Sequence, residues 1–441
     1  MYIQKLSVQN IRGIGDGQRG IELDLRRPDG TYHGWTVLAG RNGSGKTTLL
    51  QAIALTLAGP RAVRSPLTNV TTWRRQGTRD GLVDLTISYD SAVDEFEGGG
   101  RRPRNSMELG LRWPAVADAL YPVRFTGEKA AKRGPWKEKC VGWFVAGYGP
   151  FRRASGHSPD AASEQSGGAA PELVTLFRED ASLAEGVQTL RTTYTRRLEN
   201  KPGAEALERG MIALLNDGLL PGGVQILEVD SDALWVRTQV GVKLALSAIS
   251  DGYRATVALV LDILRQMSRF FGEFHLEYAK EGYPYVPYSG VILLDEAEPH
   301  LHVSWQQSIG FWLKKHFPKI QFLVTTHSPF ICQAADPRGL IRLRPAPEEP
   351  AAEHLSEEEY NRVVNDGADS AVITSLFGLE TPYSAEADKR RERVSQLEAK
   401  KIQEIALLPE EEEELAQLQH QIPHTASAAV EAALRRLEDA R

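Results

Sequence analysis

Hydrophobic and polar positions alternate with a period of two over residues 2–8, so the chain opens on a half-buried strand. A short apolar run over 35–39 predicts a buried strand that runs straight into a glycine-rich loop, and 48–57 predicts a helix. Four short β segments follow at 82–89, 107–113, 123–126 and 141–146, separated by Gly-, Arg- and Lys-rich turns, the pattern of antiparallel hairpins. Residues 155–170, rich in Ser, Gly and Ala, read as a flexible loop or linker. Leu, Val and Ile recur at helical spacing over 171–220. Strands return over 224–246 with a turn near Asp230-Ser231-Asp232, and a second helical run covers 255–267. Gly290 to Leu294 is continuously apolar, as in a strand buried in a parallel sheet, and a further strand is expected over 321–325.

This succession predicts an α/β fold. An N-terminal lobe with an antiparallel β subdomain spans 1–150, a helical insert 171–267, a second sheet-forming lobe 290–345, and a helical, acidic extension 346–441. The extension carries Val394, Leu397, Ile402, Ile405, Leu415, Leu418 and Ile422 at roughly helical intervals, interrupted by Pro409 and Pro423. It reads as an antiparallel helix pair packed on the body or on a neighbour. Glu410 to Glu414 would suit a helix start, either solvated or set against a basic partner.

Composition changes this picture little. The 441 residues carry a formal charge of −6. Residues 61–153 hold 17 Lys/Arg against 10 Asp/Glu, whereas 345–441 hold 10 against 22. The basic stretch is either solvated surface or a track for a nucleic-acid backbone, and the acidic end is either solvated surface or a site for a basic partner. Cys140 and Cys332 lie far apart and outside any metal-like spacing, which predicts reduced, buried thiols and a cytoplasmic location. No apolar run approaches the roughly 18 residues that a membrane span needs, so no membrane association is expected.

Four segments carry chemistry. Gly40-Arg41-Asn42-Gly43-Ser44-Gly45-Lys46-Thr47 stands between a strand and a helix, the context of a phosphate-binding P-loop. There the glycines turn backbone N–H groups toward phosphates, Lys46 reaches the β- and γ-phosphates, and Thr47 offers a hydroxyl to Mg²⁺; Thr48 belongs with the same nucleotide-binding set. Ser250-Asp251-Gly252-Tyr253-Arg254 opens a helix, so Ser250 and Gly252 are expected to clamp the γ-phosphate held by a second copy, with an ordinary helix cap as the alternative. The strand over 290–294 ends in Asp295, expected to hold Mg²⁺, and Glu296, expected to polarise the attacking water. The strand over 321–325 delivers His327 to the same edge, where it would touch the γ-phosphate. His300 and His302 lack the neighbours that a metal site needs and read as packing or subunit-contact residues.

On these segments the chain resembles the head of an SMC/RecF-like ABC ATPase, with Ile11-Arg12-Gly13 resembling that family's opening strand end, where an arginine lies near the nucleotide. Tyr148-Gly149-Pro150-Phe151-Arg152, the S-D-G-Y signature, the stretch from Leu294 to His302 and Thr325-Thr-His-Ser-Pro-Phe330 resemble the ATPases of bacterial anti-phage systems of the PtuA type, found in Septu and related retron systems. That resemblance covers nearly the whole chain, including Leu376-Phe377-Gly378-Leu379 and the charged tail. It implies ATP and Mg²⁺ as cofactors, a homodimer or larger homo-oligomer through shared ATP sites, slow regulatory hydrolysis, and control of a separately encoded HNH-type nuclease or toxin. DNA is a further candidate partner.

Departures limit the transfer. Where ABC heads place a glutamine, this chain has Gly147-Tyr148-Gly149-Pro150, and its signature lacks the second glycine and the glutamine of the transporter form. The insert over 171–220 is too short for long coiled-coil arms. Asp366 and Asp369 read as a turn rather than part of a nuclease centre. Residues 270–288, rich in Tyr and Pro, read as a partner-binding loop or as a packed cover over the core. A RecF-like DNA-repair ATPase remains the alternative function, and the nucleotide-binding subunit of a transporter is the weakest reading.

Overall fold

The computed structural model describes residues 1–63, 70–91, 93–99, 102–115, 123–137, 141–152, 158–167, 170–272 and 274–422. Cys140 and Pro423, both weighed above, lie outside the described residues, as do parts of the stretch expected as a linker. The chain divides into two units, Met1–Phe377 and Gly378–Arg441.

The first unit is built on a sheet whose strands run in the order β16-β15-β3-β14-β13-β7. These are β3 Gly34–Ala39, β7 Val145–Tyr148, β13 Gly290–Leu294, β14 Ile320–Thr326, β15 Leu340–Leu343 and β16 Ala352–His354. All pair in parallel except β16, which is antiparallel to β15. A second sheet, order β2-β1-β4-β5-β6, is antiparallel, with β1 Tyr2–Gln9, β2 Ile21–Asp24, β4 Asp80–Ser88, β5 Ser106–Pro114 and β6 Arg124–Thr126.

The parallel strands are buried on both faces, which explains their unbroken apolar runs. Side chains still alternate between two cores. Val37, Ile292, Leu294, Phe322 and Val324 face one core, whose other wall includes Val257, Val260, Leu261 and Leu264 of the long helix Asp251–Phe271. Leu38, Val291, Leu293 and Leu323 face the other, with the antiparallel sheet and helix α1, Lys46–Ala58, on its far side. Sandwiched between two sheets, α1 is apolar almost all round and carries no amphipathic stripe.

Several elements differ from the sequence reading. The segment expected as a hairpin strand over 141–146 ends in β7, which pairs in parallel with β13, Val291 opposite Val145 and Leu294 opposite Tyr148. Its buried apolar run fits a parallel ladder as well as a hairpin, and pattern alone does not separate the two. The expected linker contains helix α2, Pro159–Gly167. The helical run over 171–220 is broken into short turns followed by α3, Ala184–Leu198, and α4, Ala204–Asn216. A small antiparallel sheet follows, β8 Gln225–Val229, β9 Leu234–Arg237 and β10 Lys243–Ala245, and then α5, Asp251–Phe271.

The Tyr- and Pro-rich segment forms a two-stranded hairpin, β11 Glu277–Tyr278 with β12 Pro284–Tyr285. Tyr288 stacks on Phe271 and Phe274, and Val286 is fully buried, so much of this segment packs on the core. Helix α6 spans Val303–His316.

The acidic extension expected from residue 346 divides. Residues up to 377 add β16, α7 Glu357–Asn365 and α8 Ala368–Val372, whose Val363, Ala371 and Leu376 are buried in the first unit's core. Asp366 caps α7 and Asp369 lies in α8.

In the second unit, α9 Ala385–Ile402 and α10 Pro409–Gln421 form a helical hairpin around buried Leu397 and Leu415. Two of the five glutamates expected at a helix start are ion-paired within it, Glu411 with Lys400 at 2.6 Å and Glu414 with Arg393 at 2.7 Å. Among the described residues, no helix is long and apolar enough to cross a membrane.

Candidate functional site

The parallel topology brings the carboxyl ends of β3, β13 and β14 to one edge, where open α/β sheets place their ligands. The P-loop leaves β3 there. Gly43 (φ 81°) and Gly45 (φ 89°) adopt left-handed conformations, and a Cβ on Gly40 would lie 2.1 Å from the Leu343 carbonyl. Helix α1 begins at Lys46 with Gly45 as its N-cap and no capping side chain, so the helix start is left to a ligand.

Lys46 is buried, and its Nζ donates to the carbonyls of Gly40 (2.7 Å) and Arg41 (3.1 Å). Burial pulls its pKa down, partly offset by Asp295, Glu296 and Glu298. The buried Ser44 hydroxyl has no protein partner. An orphaned hydroxyl and a lysine resting on backbone carbonyls fit a phosphate-binding cradle. Asn42 and Gly43 are exposed at its lip, and Thr48 is half-buried in the first turn of α1.

The end of β13 is tied to the P-loop and to β14 through one carboxylate. Thr47 donates its hydroxyl to Asp295 Oδ2 at 2.7 Å, and Thr325 donates to Asp295 Oδ1 at 2.6 Å. The same Thr325 oxygen accepts the Glu296 N–H at 2.7 Å. Glu296 sits in the left-handed region (φ 45°). A hydroxyl and a carboxylate held together are a hard-oxygen set that fits Mg²⁺ bound by few protein ligands and several waters.

His327 stands just beyond β14 with its ring exposed. Glu298 fixes the backbone there: Oε1 accepts the His327 N–H at 2.6 Å and Oε2 the Thr326 hydroxyl at 2.7 Å. The next residue, Ser328, donates its hydroxyl to Gln306 at 2.6 Å.

Ser250 is exposed at the start of α5, and its side chain makes no capping hydrogen bond. Gly252 is required by packing as well, because a Cβ there would lie 2.6 Å from the His300 carbonyl. His302 caps α6, accepting the Ser304 N–H at Nδ1. Among the described residues, no group of three or more His, Cys, Asp and Glu is placed to hold a metal ion.

Arg12 (φ 50°) donates to Gln51 at 3.1 Å and lies over the Trp73 ring at 4.2 Å. Gln51 in turn donates to the Leu176 carbonyl at 3.0 Å. Where a glutamine loop was expected to be missing, Tyr148 is buried in β7. Its carbonyl accepts the Asp295 N–H at 2.8 Å, and its hydroxyl donates to Asp262 of α5 at 3.1 Å. Burial, with Asp262 alongside, pushes the Tyr148 phenol well up. Asp262 is paired with Arg265, which also reaches Glu185 of α3. A buried network therefore joins the strand edge to α5 and the helical insert.

Thr325, Glu298, Gln306, Gln51 and Arg152 are structural members of this site that spacing did not single out. Each acts on a segment far away in sequence.

The two lobes, the P-loop and the paired strand ends define the α/β fold of a P-loop ATPase, with an antiparallel β subdomain, a helical insert and a C-terminal helical extension. Comparison with known proteins agrees. Residues 5–92 match the family model described as "AAA domain", and residues 170–333 the one described as "AAA domain, putative AbiEii toxin, Type IV TA system".

The chain is similar to proteins named for Septu and retron systems. It is 24% identical over 343 residues to the Septu protein PtuA of Bacillus mycoides, a match covering 77% of this chain and 39% of that protein. It is 37% identical over 103 residues to the Retron Ec83 probable ATPase of Escherichia coli, covering 23% of this chain and 18% of that protein. The matches thus span well under half of these relatives. A crystal structure of an Smc head bound to the C-winged helix domain of ScpA superposes with a TM-score of 0.46 at 16% identity, over 81% of this chain and 99% of that one.

Proposed function

We propose that this protein binds Mg-ATP between two copies of itself, hydrolyses it slowly, and through that cycle regulates a separately encoded nuclease or toxin in an anti-phage complex. The observation that carries the ATPase reading is the continuous run Thr47–Asp295–Thr325–Glu296, which joins the P-loop to the ends of two neighbouring strands. Mg²⁺, held by Thr47 and Asp295, would neutralise charge on the phosphates. Around it, Lys46 turns from its backbone carbonyls to the β- and γ-phosphates, and the P-loop amides orient the chain of phosphates.

Glu296 accepts a proton from the attacking water as that water's oxygen bonds to the γ-phosphorus and the bond to ADP breaks. His327 meets the γ-phosphate from the end of the neighbouring strand. The exposed Ser250 and the uncapped start of α5 are free to meet the phosphate of a facing copy, which makes the site complete only in a pair.

The defence assignment rests on the similarity to Septu and retron ATPases. A RecF-like role on DNA is the second reading. Its support is the pair Arg112 and Arg124, exposed and directly opposite each other across β5 and β6, although Asp84 already offsets part of the charge on Arg112.

One experiment separates the readings: ATP turnover by the wild type, Lys46→Ala and Glu296→Gln, with and without duplex DNA, alongside recovery of partners from the native host. The defence reading predicts turnover lost in both variants, little response to DNA and a co-purified nuclease or toxin. Turnover that rises with DNA, depends on Arg112 and Arg124, and lacks any such partner would replace it with the second reading. Turnover retained in Lys46→Ala would overturn both.

A further inference from the structure

The segment Gly147-Tyr148-Gly149-Pro150-Phe151-Arg152 has one path open to it. The Gly149 N–H donates to the Thr175 carbonyl at 3.2 Å, and the Thr175 hydroxyl donates to the Gly147 carbonyl at 2.9 Å. A Cβ on Gly149 would lie 2.3 Å from that Thr175 carbonyl, and one on Gly147 would lie 2.8 Å from Leu176. Gly149, which would meet backbone, is therefore needed for the strap to lie as it does, and its far end delivers Arg152 into the protein interior, where only 4% of the residue remains exposed.

There the guanidinium grips backbone. NH1 donates to the Asp295 carbonyl at 3.3 Å, and NH2 donates to the Glu296 carbonyl at 2.5 Å. Glu296 occupies a left-handed conformation, which is unfavourable for a residue with a side chain and persists only where its surroundings impose it. Two groups hold it, one on each side: the Thr325 hydroxyl on its N–H and Arg152 on its carbonyl. The following peptide keeps one further tie, the Ala297 N–H donating to the Thr325 carbonyl at 3.0 Å, so removing Arg152 leaves the Glu296 carbonyl without its partner and loosens the peptide on that side alone.

We propose that Arg152 is the positioning residue that fixes the Glu296 backbone for water activation. This rests on the ATPase reading of Glu296 given above. The choice of arginine follows from geometry, since a planar fork reaches two successive carbonyls whereas a lysine ammonium serves as a single point charge. Burial opposes the cation and pulls its pKa down to about 10, while Glu298, Asp295 and Glu296 together favour it. Arg152 also lines a small apolar cavity with Leu294, Ala297, Ala255 and Thr256, so truncating it leaves a space that a free guanidinium ion fits.

The test compares wild type, Arg152→Lys and Arg152→Ala for ATP affinity and for turnover at saturating Mg-ATP, with low millimolar guanidinium added to each. A displacement of the catalytic group of about 1 Å costs on the order of 100-fold, which sets the expected loss of turnover in Arg152→Ala. ATP affinity should remain within about threefold of wild type, because Arg152 touches no P-loop residue and reaches Asp295 only at its backbone carbonyl, leaving the carboxylate with Thr47 and Thr325. Arg152→Lys should be intermediate, and guanidinium should restore turnover in Arg152→Ala but not in wild type or Glu296→Gln. If Arg152→Ala fails to fold, Arg152→Lys still decides: selective loss of turnover supports the role, and wild-type turnover overturns it. Parallel loss of affinity and turnover without guanidinium rescue also overturns it. Absence of turnover in wild type itself would overturn the ATPase reading, and the role of Arg152 with it.

Discussion

Replacing Thr325 by valine keeps the shape of a fully buried side chain and removes only its hydroxyl. That hydroxyl is used twice, donating to Asp295 Oδ1 at 2.6 Å and accepting the Glu296 N–H at 2.7 Å. A buried N–H left without a partner costs about 1–3 kcal/mol, and a hydrogen bond to a charged group contributes about 1.5–3 kcal/mol. The two share one oxygen and do not simply add, so Thr325→Val should lose about 2–4 kcal/mol of stability without nucleotide. Thr325→Ser, which keeps the hydroxyl and loses one methyl, should lose about 1 kcal/mol.

Urea unfolding followed by tryptophan fluorescence measures both, since a changed midpoint at constant slope reports stability alone. Turnover should fall about 30-fold or more in the valine variant if about 2 kcal/mol of that loss reaches the transition state, and should largely survive in the serine variant. A valine variant within about 0.5 kcal/mol of wild type that also turns over ATP normally would refute the claim that Thr325 ties the two acidic residues in place.

Tyr148→Phe removes the hydroxyl that reaches Asp262 of α5; the expected cost is about 1–2 kcal/mol in urea unfolding, whereas a neutral result would mean that this link contributes nothing. Gly252→Ala places a methyl against the His300 carbonyl, so it should lower stability before ATP is added, and a variant of wild-type stability that fails only in turnover would show that Gly252 serves the nucleotide alone. Cys332 is fully buried and its thiol is pushed far up by burial, so alkylation at pH 8 followed by peptide mapping should leave it unmodified until urea is added. Rapid modification in the native protein would contradict its placement.

Much of the fold was legible because its signals are local. The strand–glycine–helix order around Lys46, the apolar run ending at Asp295 and Glu296, and the alternation over β1 each carry their own pattern. What pattern does not encode is which strand lies beside which. The apolar segment before Tyr148 fits a hairpin or a parallel ladder equally well, and only the packing of both its faces places it next to β13. The tail likewise reads as one charged helical stretch, yet Val363, Ala371 and Leu376 are apolar enough to join the first unit's core while the residues from 378 onward form a unit of their own.

The site divides along the same line. Lys46, Thr47, Asp295, Glu296 and His327 stand in recognisable motifs. Arg152, Thr325 and Glu298 lie inside stretches that carry the family resemblance, but they act through hydrogen bonds to the backbone or side chains of other segments, and spacing assigns them no role.

The central claim is that the site is completed by a second copy of the chain, and the native mass of Glu296→Gln with and without Mg-ATP tests it most directly. This variant should bind ATP without turning it over, and its mass should double, or change in steps of two chains, only when Mg-ATP is present. Tight ATP binding with no change in mass, across concentrations well above the dissociation constant for ATP, would contradict a shared site and leave Ser250 and the start of α5 without a role in nucleotide binding.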